Sequence, residues 1–586
     1  MINLETDKTI VPQPKVKNFI NNKRSKNAFK ERKMNKTYKK VGISPYGAVP
    51  NENQMEWYKR ERTIFFHFGM NTFTGKEWGD GTESPKDFNP SQLCVEQWIR
   101  TIKEAGFGMA ILTAKHHDGF CLWQTKHTEH SVKNSPYKNG KGDIVKEFTD
   151  ACQKYGIKAG IYLSPWDRHE KSWGKEEYND FYVGQLEELL TNYGDIYECW
   201  WDGAGSTEAV YDWERWAKTV KSLQPKAVIF GSLGATPWVD VRWVGNEKGI
   251  AGKPCYATID EHALIVEDTK ELNVGKLGGE RFIPAEVDVS IRPGWFYHPE
   301  QDNMVRSPQN LIDLWFSSNG SNAGLLLNLP PDKRGLIHEN DAKSIIEFNN
   351  ILKKSLNVNL AERSTITADS ERDGAYAKYL LEKEKFYSPV EKKATIFVCL
   401  DKEKEFNTFI IGEEISLGHK VNYIKVSAFE ENEYKTLFER EMVGYKLAER
   451  FDAIRTDKLK IEISALDTPA LRDFGLYLFD TKDVEQVKVT DKNLIDLPSC
   501  HVEYKGKEID VNLGGIFPFN SVKLTGVGKT EYKFFVFNGT SFDLRKSGKS
   551  ENGEIDISMK VPIDNAYRFM LSFDKQVEKN IKIKVL

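Results

Sequence analysis

A chain of 586 residues, 40% of them hydrophobic and 12% aromatic, is too long for one ordinary domain and points to about two to four. Its formal net charge of -3 excludes a whole-molecule bias toward nucleic acid, and no run of 18 apolar residues is present to span a membrane. The seven cysteines are scattered, odd in number and without a CxxC, which reads as reduced thiols rather than a disulfide framework or a zinc site.

Residues 1–41 are rich in Lys and Asn ("NNKRSKNAFKERKMNKTYKK") and poor in apolar side chains. They read as a disordered, solvated basic tail. The N-terminus shows no apolar h-region, so the sequence reads as cytoplasmic; a secreted or periplasmic placement requires a differently assigned start.

From about residue 60 to 350, short apolar runs alternate with helical patterns. The runs are "TIFFHFG" (63–69), "MAILTAKH" (109–116), "KAGIYLSP" (158–165), "YECWWDG" (197–203), "AVIFGS" (227–232), "DVRWVGN" (240–246), "EVDVSIRPG" (286–294) and "GLLLNLP" (324–330). Between them, "QLCVEQWIRTIKEAGF" carries Leu93, Trp98 and Ile102 near helical spacing and stops at Gly106. "GDIVKEFTDACQKYGI" opens on Asp143, a helix-capping residue type, and closes at Gly156; a third helical pattern closes at Gly194. Strand, helix, glycine, strand is the βα repeat of a parallel sheet, and this many repeats in so short a span predict a (β/α)8-like barrel. A doubly wound sheet would carry a phosphate loop after its first strand, and "HFGMNTFTG" is not GxGxxG.

In such a barrel, polar residues at the C-terminal strand ends line the active-site face. Here those ends carry His67; His116, His117 and Asp118; Tyr162; Asp202; Glu247; and Arg292 with Trp295. No Ser or Cys occupies a nucleophile elbow, and a metal on His116 and His117 is not expected, because adjacent strand residues point to opposite faces. Two carboxylates among His, Trp, Tyr and Arg fit glycoside hydrolysis, one group attacking or stabilising and the other exchanging protons. The setting of Asp202, followed by Gly203 and Gly205, favours a reactive carboxylate over a helix cap. The 14 Trp and 23 Tyr serve a core of large side chains and sugar-stacking faces equally well.

Seven segments, "YGAVPNENQMEWYKRERTIFFHFGMNTFTGKEWGDG", "TAKHHDGFCLW", "EHSVKNSPYKNGKGD", "GIYLSPWDR", "CWWDGAG", "RWVGNEKG" and "VDVSIRPGWFYH", together resemble the α-L-fucosidases of glycoside hydrolase family 29 over residues 42–345, and more weakly over 350–480. The "WVGNE" and "SIRPGWFYH" forms resemble the subfamily selective for α-1,3/4-linked fucose. The resemblance implies a retaining, two-step mechanism. Asp202 matches the nucleophile and Glu247 the acid/base, with Glu286 a rival for the second role or a partner of Arg292. It implies fucose contacts at His67, Glu77, Trp78, His116, His117, Tyr162 and Trp295, with Glu286 and Arg292 also grouped at the substrate site. Asp118 is expected to orient a neighbouring histidine. No metal or cofactor is implied.

After residue 350 the helical periods give way to alternating runs: 393–400, 406–413, 422–430, 458–464 and 474–480. They predict an antiparallel β-sandwich over 351–481. Further strand patterns, "EYKFFVFNGTSFDL" and "YRFMLSFD", predict a small β domain of unassigned role over 482–586. The expectation is a catalytic barrel over 42–350, followed by β-sandwich domains, that removes terminal α-1,3/4-linked L-fucose from Lewis-type oligosaccharides or glycoconjugates. Two readings stand against it: a broad α-L-fucosidase that also takes α-1,2 linkages and aryl fucosides, and a catalytically inactive fucose-binding protein. The sequence leaves the oligomeric state open.

Overall fold

The computed structural model describes residues 41–586 apart from 205–208, 232–234, 267–268, 480–492, 498–499, 514–518, 538–541, 551, 564–567 and 578–580. The tail expected over 1–41 therefore lies, but for its last residue, outside the described residues.

Eight parallel strands close into a barrel in sequence order, β1 Arg62–Phe66, β2 Met109–Lys115, β3 Lys158–Leu163, β4 Ile196–Trp201, β5 Val228–Gly231, β6 Val241–Trp243, β7 Ala285–Ser290 and β8 Ala323–Asn328, with β8 pairing back onto β1. Every strand expected from the sequence is present. Helices Val95–Glu104, Ile144–Tyr155, Glu177–Asn192, Trp213–Leu223, Pro308–Ser317 and Glu339–Leu356 form the outer layer. The Ile144–Tyr155 helix begins where Asp143 accepts from the Lys146 N–H and ends where Gly156 turns to φ 69°, the conformation that glycine adopts without strain. Between β5 and β6 the helix is replaced by a short turn, Thr236–Trp238. Between β6 and β7 it is replaced by two six-residue helices and a small ribbon, Thr258–Ile259 against Arg281–Phe282.

The period-two alternation of strands sorts the side chains. Ile64, Leu112, Cys199, Ile229, Val287 and Leu327 face outward into the core shared with the helices. Phe65, Ile111, Tyr162, Trp200, Phe230, Val241 and Leu326 face inward and fill the barrel. Within that filling, Trp200 and Phe230 stack with ring centroids 4.1 Å apart at 8°. Burying each such ring stabilises the fold by about 1.5–3 kcal/mol. Side chains thus fill the barrel interior, and a cavity opens at its C-terminal end.

The β-sandwich that follows is built on six antiparallel strands: Thr365–Ala368, Lys393–Glu413, Val421–Glu430, Glu433–Arg440, Leu447–Ala465 and Leu471–Tyr477. The two runs expected at 393–400 and 406–413 are one long strand. It stays paired to Leu447–Ala465 through register shifts at Cys399/Lys404 and Phe406/Thr408, bulges that bend the strand so that both halves share one apolar core. The strand Glu433–Arg440 has no counterpart among the expected runs. It is an edge strand with only Phe438 buried, so its sequence carries almost no alternation. Beyond residue 493, a five-stranded and a three-stranded antiparallel sheet enclose a separate core around Ile509, Val522, Phe534 and Phe569. Among the described residues no helix is long and apolar enough to cross a membrane.

Candidate active site

The C-terminal mouth of the barrel opens into a cavity of about 790 Å³, including its open entrance, lined by Phe65, His67, Glu77, Trp78, His116, His117, Trp200, Asp202, Gly203, Ala204, Trp243, Glu247, Asp288 and Trp295. The inward register explains most of this wall. Trp200 points into the barrel, so Asp202, two residues on and just past the end of β4, points the same way at the next level up. The same step carries Phe65 to His67 on β1.

Asp202 accepts two hydrogen bonds and faces an imidazole. Its Oδ1 accepts from the Ala204 N–H at 2.8 Å, its Oδ2 accepts from the Tyr162 hydroxyl at 3.2 Å, and His117 Nε2 stands 3.7 Å from the same Oδ2. Glu247 lies on the loop after β6, and its Oε2 accepts from the Trp295 indole N–H at 3.3 Å. Burial first, then the nearby Asp202 charge, hold the Glu247 carboxyl above the usual carboxylate range. Of the carboxyl groups in this wall, Asp202 thus accepts two hydrogen bonds and Glu247 is biased toward its protonated form.

The three histidines are biased toward their neutral forms by burial and ordered by their partners. Burial pushes His67 down to about 4 and His116 well below its ordinary value, and it lowers His117 as well. Asn328 donates its amide to Ser290 Oγ at 2.9 Å and to the Trp295 carbonyl at 2.7 Å, so its Oδ1 is the atom 2.9 Å from His67 Nδ1. His67 Nδ1 therefore carries the proton and Nε2 is an acceptor. His117 is ordered likewise. Ser164 donates its hydroxyl to the Trp166 carbonyl, so its Oγ accepts from His117 Nδ1 at 2.8 Å. His116 has the other tautomer. Asn71 Nδ2, which also donates to the Glu77 carbonyl, lies 3.4 Å from His116 Nδ1 and leaves Nε2–H as a donor. One imidazole donor and two acceptors in a single apolar-walled cavity suit a ligand with several hydroxyls.

Glu77 bridges two loops. Its Oε2 accepts from the Trp295 N–H at 2.8 Å and its Oε1 meets His298 Nε2 at 2.6 Å. Trp78, 56% exposed at the rim, meets Trp166 edge-on with centroids 5.5 Å apart. His67 packs against Trp295 and Phe296 with centroids 5.1 and 5.3 Å away.

Four sequence expectations are corrected by this geometry. Glu286 does not reach the cavity: it sits one inward step below Asp288, 1% exposed, and accepts from the Trp200 indole N–H at 3.1 Å from beneath the pocket floor. Nor does it partner Arg292. That guanidinium is buried outside the pocket wall, bonded to Asp341 at 2.8 and 3.0 Å and to Asp302 at 2.9 Å. Asp118 orients neither His116 nor His117; its Oδ1 accepts from the Phe120 N–H at 2.8 Å and turns the backbone of that corner. The adjacent His116 and His117 do not diverge. They lie past the last strand residue, Lys115, where alternation lapses, and both reach the cavity with ring centroids 4.1 Å apart. Tyr162 reaches Asp202 through its hydroxyl but is otherwise buried in the barrel.

Sequence reasoning missed Trp243 and Asp288, which line the cavity and are joined by an indole-to-carboxyl bond of 2.9 Å. Burial, followed by the Glu247 charge, raises Asp288 well above its ordinary value. The available signal was spacing: Asp288 follows Glu286 by two and so shares its inward face. Among the described residues no group of three or more His, Cys, Asp or Glu is placed to hold a metal ion.

A barrel whose C-terminal mouth gathers four carboxyl groups, Asp202 and Glu247 among them, with three imidazoles and an indole wall fits a glycoside hydrolase. Comparison narrows the class. The family profile described as alpha-L-fucosidase matches residues 12–355. Alpha-L-fucosidase 1 of Arabidopsis thaliana is 38% identical over 452 residues, 74% of this chain and 88% of its own length. A crystallised candidate α-L-fucosidase from Bacteroides thetaiotaomicron is 42% identical with a TM-score of 0.72, covering 74% of this chain and 99% of that one. A Ruminococcus gnavus family 29 fucosidase, solved in complex with fucose, is 32% identical with a TM-score of 0.69, covering 74% and 96%. The chain belongs to the α-L-fucosidase family, glycoside hydrolase family 29.

Proposed function

We propose that the protein is a retaining exo-α-L-fucosidase that removes terminal α-1,3/4-linked fucose from Lewis-type oligosaccharides or glycoconjugates. The observation that carries the reading is the pairing of Asp202 and Glu247 in one cavity with opposed surroundings. Asp202 Oδ2 faces the open pocket beside His117 and Tyr162 and is the nucleophile that attacks the anomeric carbon. Glu247, held above the usual carboxylate range by burial and by Asp202, protonates the departing glycosidic oxygen. Once the fucosyl ester on Asp202 has formed, the Glu247 carboxylate takes a proton from water, which attacks the ester and frees Asp202.

Binding follows from the same wall. His67, His116, His117 and Glu77 hydrogen-bond the sugar hydroxyls, while Trp295 and Trp78 cover its apolar face and the C5 methyl group. The linkage preference rests on the resemblance of the "WVGNE" and "SIRPGWFYH" forms to the α-1,3/4-selective subfamily. The test is fucose release from purified Lewis a, Lewis x, 2′-fucosyllactose and an aryl fucoside. Release from the two Lewis trisaccharides with little from 2′-fucosyllactose is expected. Comparable release from all four would replace the reading with the broad-specificity one. Fucose binding without any turnover would make the protein a sugar-binding module.

A further inference from the structure

Glu77 and Trp295 line the cavity, but the group that fixes them does not. His298 is absent from the cavity wall and its side chain is 13% exposed. Its Nε2 lies 2.6 Å from Glu77 Oε1. The other Glu77 oxygen accepts from the Trp295 N–H at 2.8 Å, and the Trp295 indole donates to Glu247 at 3.3 Å. A chain of three contacts thus runs from a histidine behind the wall to the acid/base candidate. The packing is built for it. A Cβ on Gly294 would fall 2.4 Å from Glu77 Oε1 and 3.2 Å from His298 Cδ2, so a larger residue there would displace the Glu77 carboxylate from this pair.

We propose that His298 is a positioning residue, the cation that clamps the Glu77 carboxylate and, through it, sets the Trp295 wall of the sugar subsite. This rests on the fucosidase reading of that site. Three charged groups face His298. Glu77, from the loop after β1, raises its pKa most, through the hydrogen bond; Glu300, on its own segment with Oε1 3.8 Å from Nδ1, raises it too; and Lys333, from the loop after β8, opposes them, as does burial. The net direction is upward, so the cation is fully present below the ordinary histidine value and is lost as pH rises through the elevated one. Glu77 is then left with a weaker partner.

The experiment measures L-fucose affinity by calorimetry, and kcat and KM on an aryl fucoside, for the full chain and for His298→Gln and His298→Phe. His298→Gln can still donate a hydrogen bond to Glu77 but carries no charge; His298→Phe can do neither. Fucose affinity is expected to fall about tenfold in His298→Phe and less in His298→Gln, with KM rising more than kcat falls. The parent is expected to lose affinity as pH rises through the histidine range, and both variants are expected to lack that step. Thermal melts separate this from damage to the fold, since a merely structural histidine lowers the melting temperature without removing a pH step. Unchanged fucose affinity in His298→Phe, or a parent-like pH dependence in both variants, overturns the proposal while the parent still turns over fucosides. A parent that neither binds fucose nor releases it overturns the fucosidase reading, and this proposal with it.

Discussion

Asp202→Asn exchanges one oxygen for an amide and keeps the side chain's shape, so its effects on fold and on chemistry can be worked separately. In the structure Oδ1 accepts from the Ala204 N–H at 2.8 Å and Oδ2 from the Tyr162 hydroxyl at 3.2 Å. Asparagine keeps the first bond through its carbonyl oxygen and replaces the second with an N–H that the Tyr162 oxygen can accept. At most one net hydrogen bond is at stake, about 1 kcal/mol, which lowers the melting temperature by no more than about 2–4 °C. The chemistry fares differently. The amide cannot form the glycosyl ester, so the reaction loses its first step as drawn, and a rate loss of roughly a thousandfold or more is expected, about 4 kcal/mol in the barrier. The assay is initial-rate fucose release from Lewis x and from an aryl fucoside, with a thermal melt on the same preparation. A kcat within tenfold of the parent at an unchanged melting temperature would refute the nucleophile assignment and the inward-register argument that led to it.

Glu247→Ala should lose most activity on natural glycans and least on an activated aryl fucoside, where added azide should restore turnover by attacking the intermediate; Glu286→Ala should show no azide rescue, since it lies under the pocket floor. The alkaline limb of the kcat/KM profile should lie above the ordinary carboxylate range, because Glu247 must be protonated to act and its folded-state pKa is raised. Trp295→Phe removes a donor that favours the Glu247 carboxylate, so a pH-rate profile should show that limb moving to higher pH. Asp341→Ala should destabilise the fold by about 3–5 kcal/mol in urea melts, because it leaves the buried Arg292 guanidinium, its side chain 0% exposed and its Nε–H shared between the two Asp341 oxygens, with Asp302 as its remaining carboxylate.

Much of this molecule is legible in its sequence because the governing rules are local. Apolar runs with glycine-terminated helices between them specify a parallel barrel, and each strand appears where its run predicts. The placement of Asp202 is local too: a carboxylate one residue past an apolar strand, two after Trp200, must share the inward face at the C-terminal end. Depth along the barrel axis is not local. Glu286 and Asp288 share a face and differ by one inward step, yet only the register of β7 against β6 and β8 puts one under the floor and the other in the wall. Nor is charge pairing local. Arg292 follows a strand end like a substrate contact, but Asp341, 49 residues on, claims its guanidinium. Strand and helix follow from neighbours a few residues away. Whether a polar group meets the substrate or a buried partner depends on which distant segment arrives beside it, and that only the closed barrel decides.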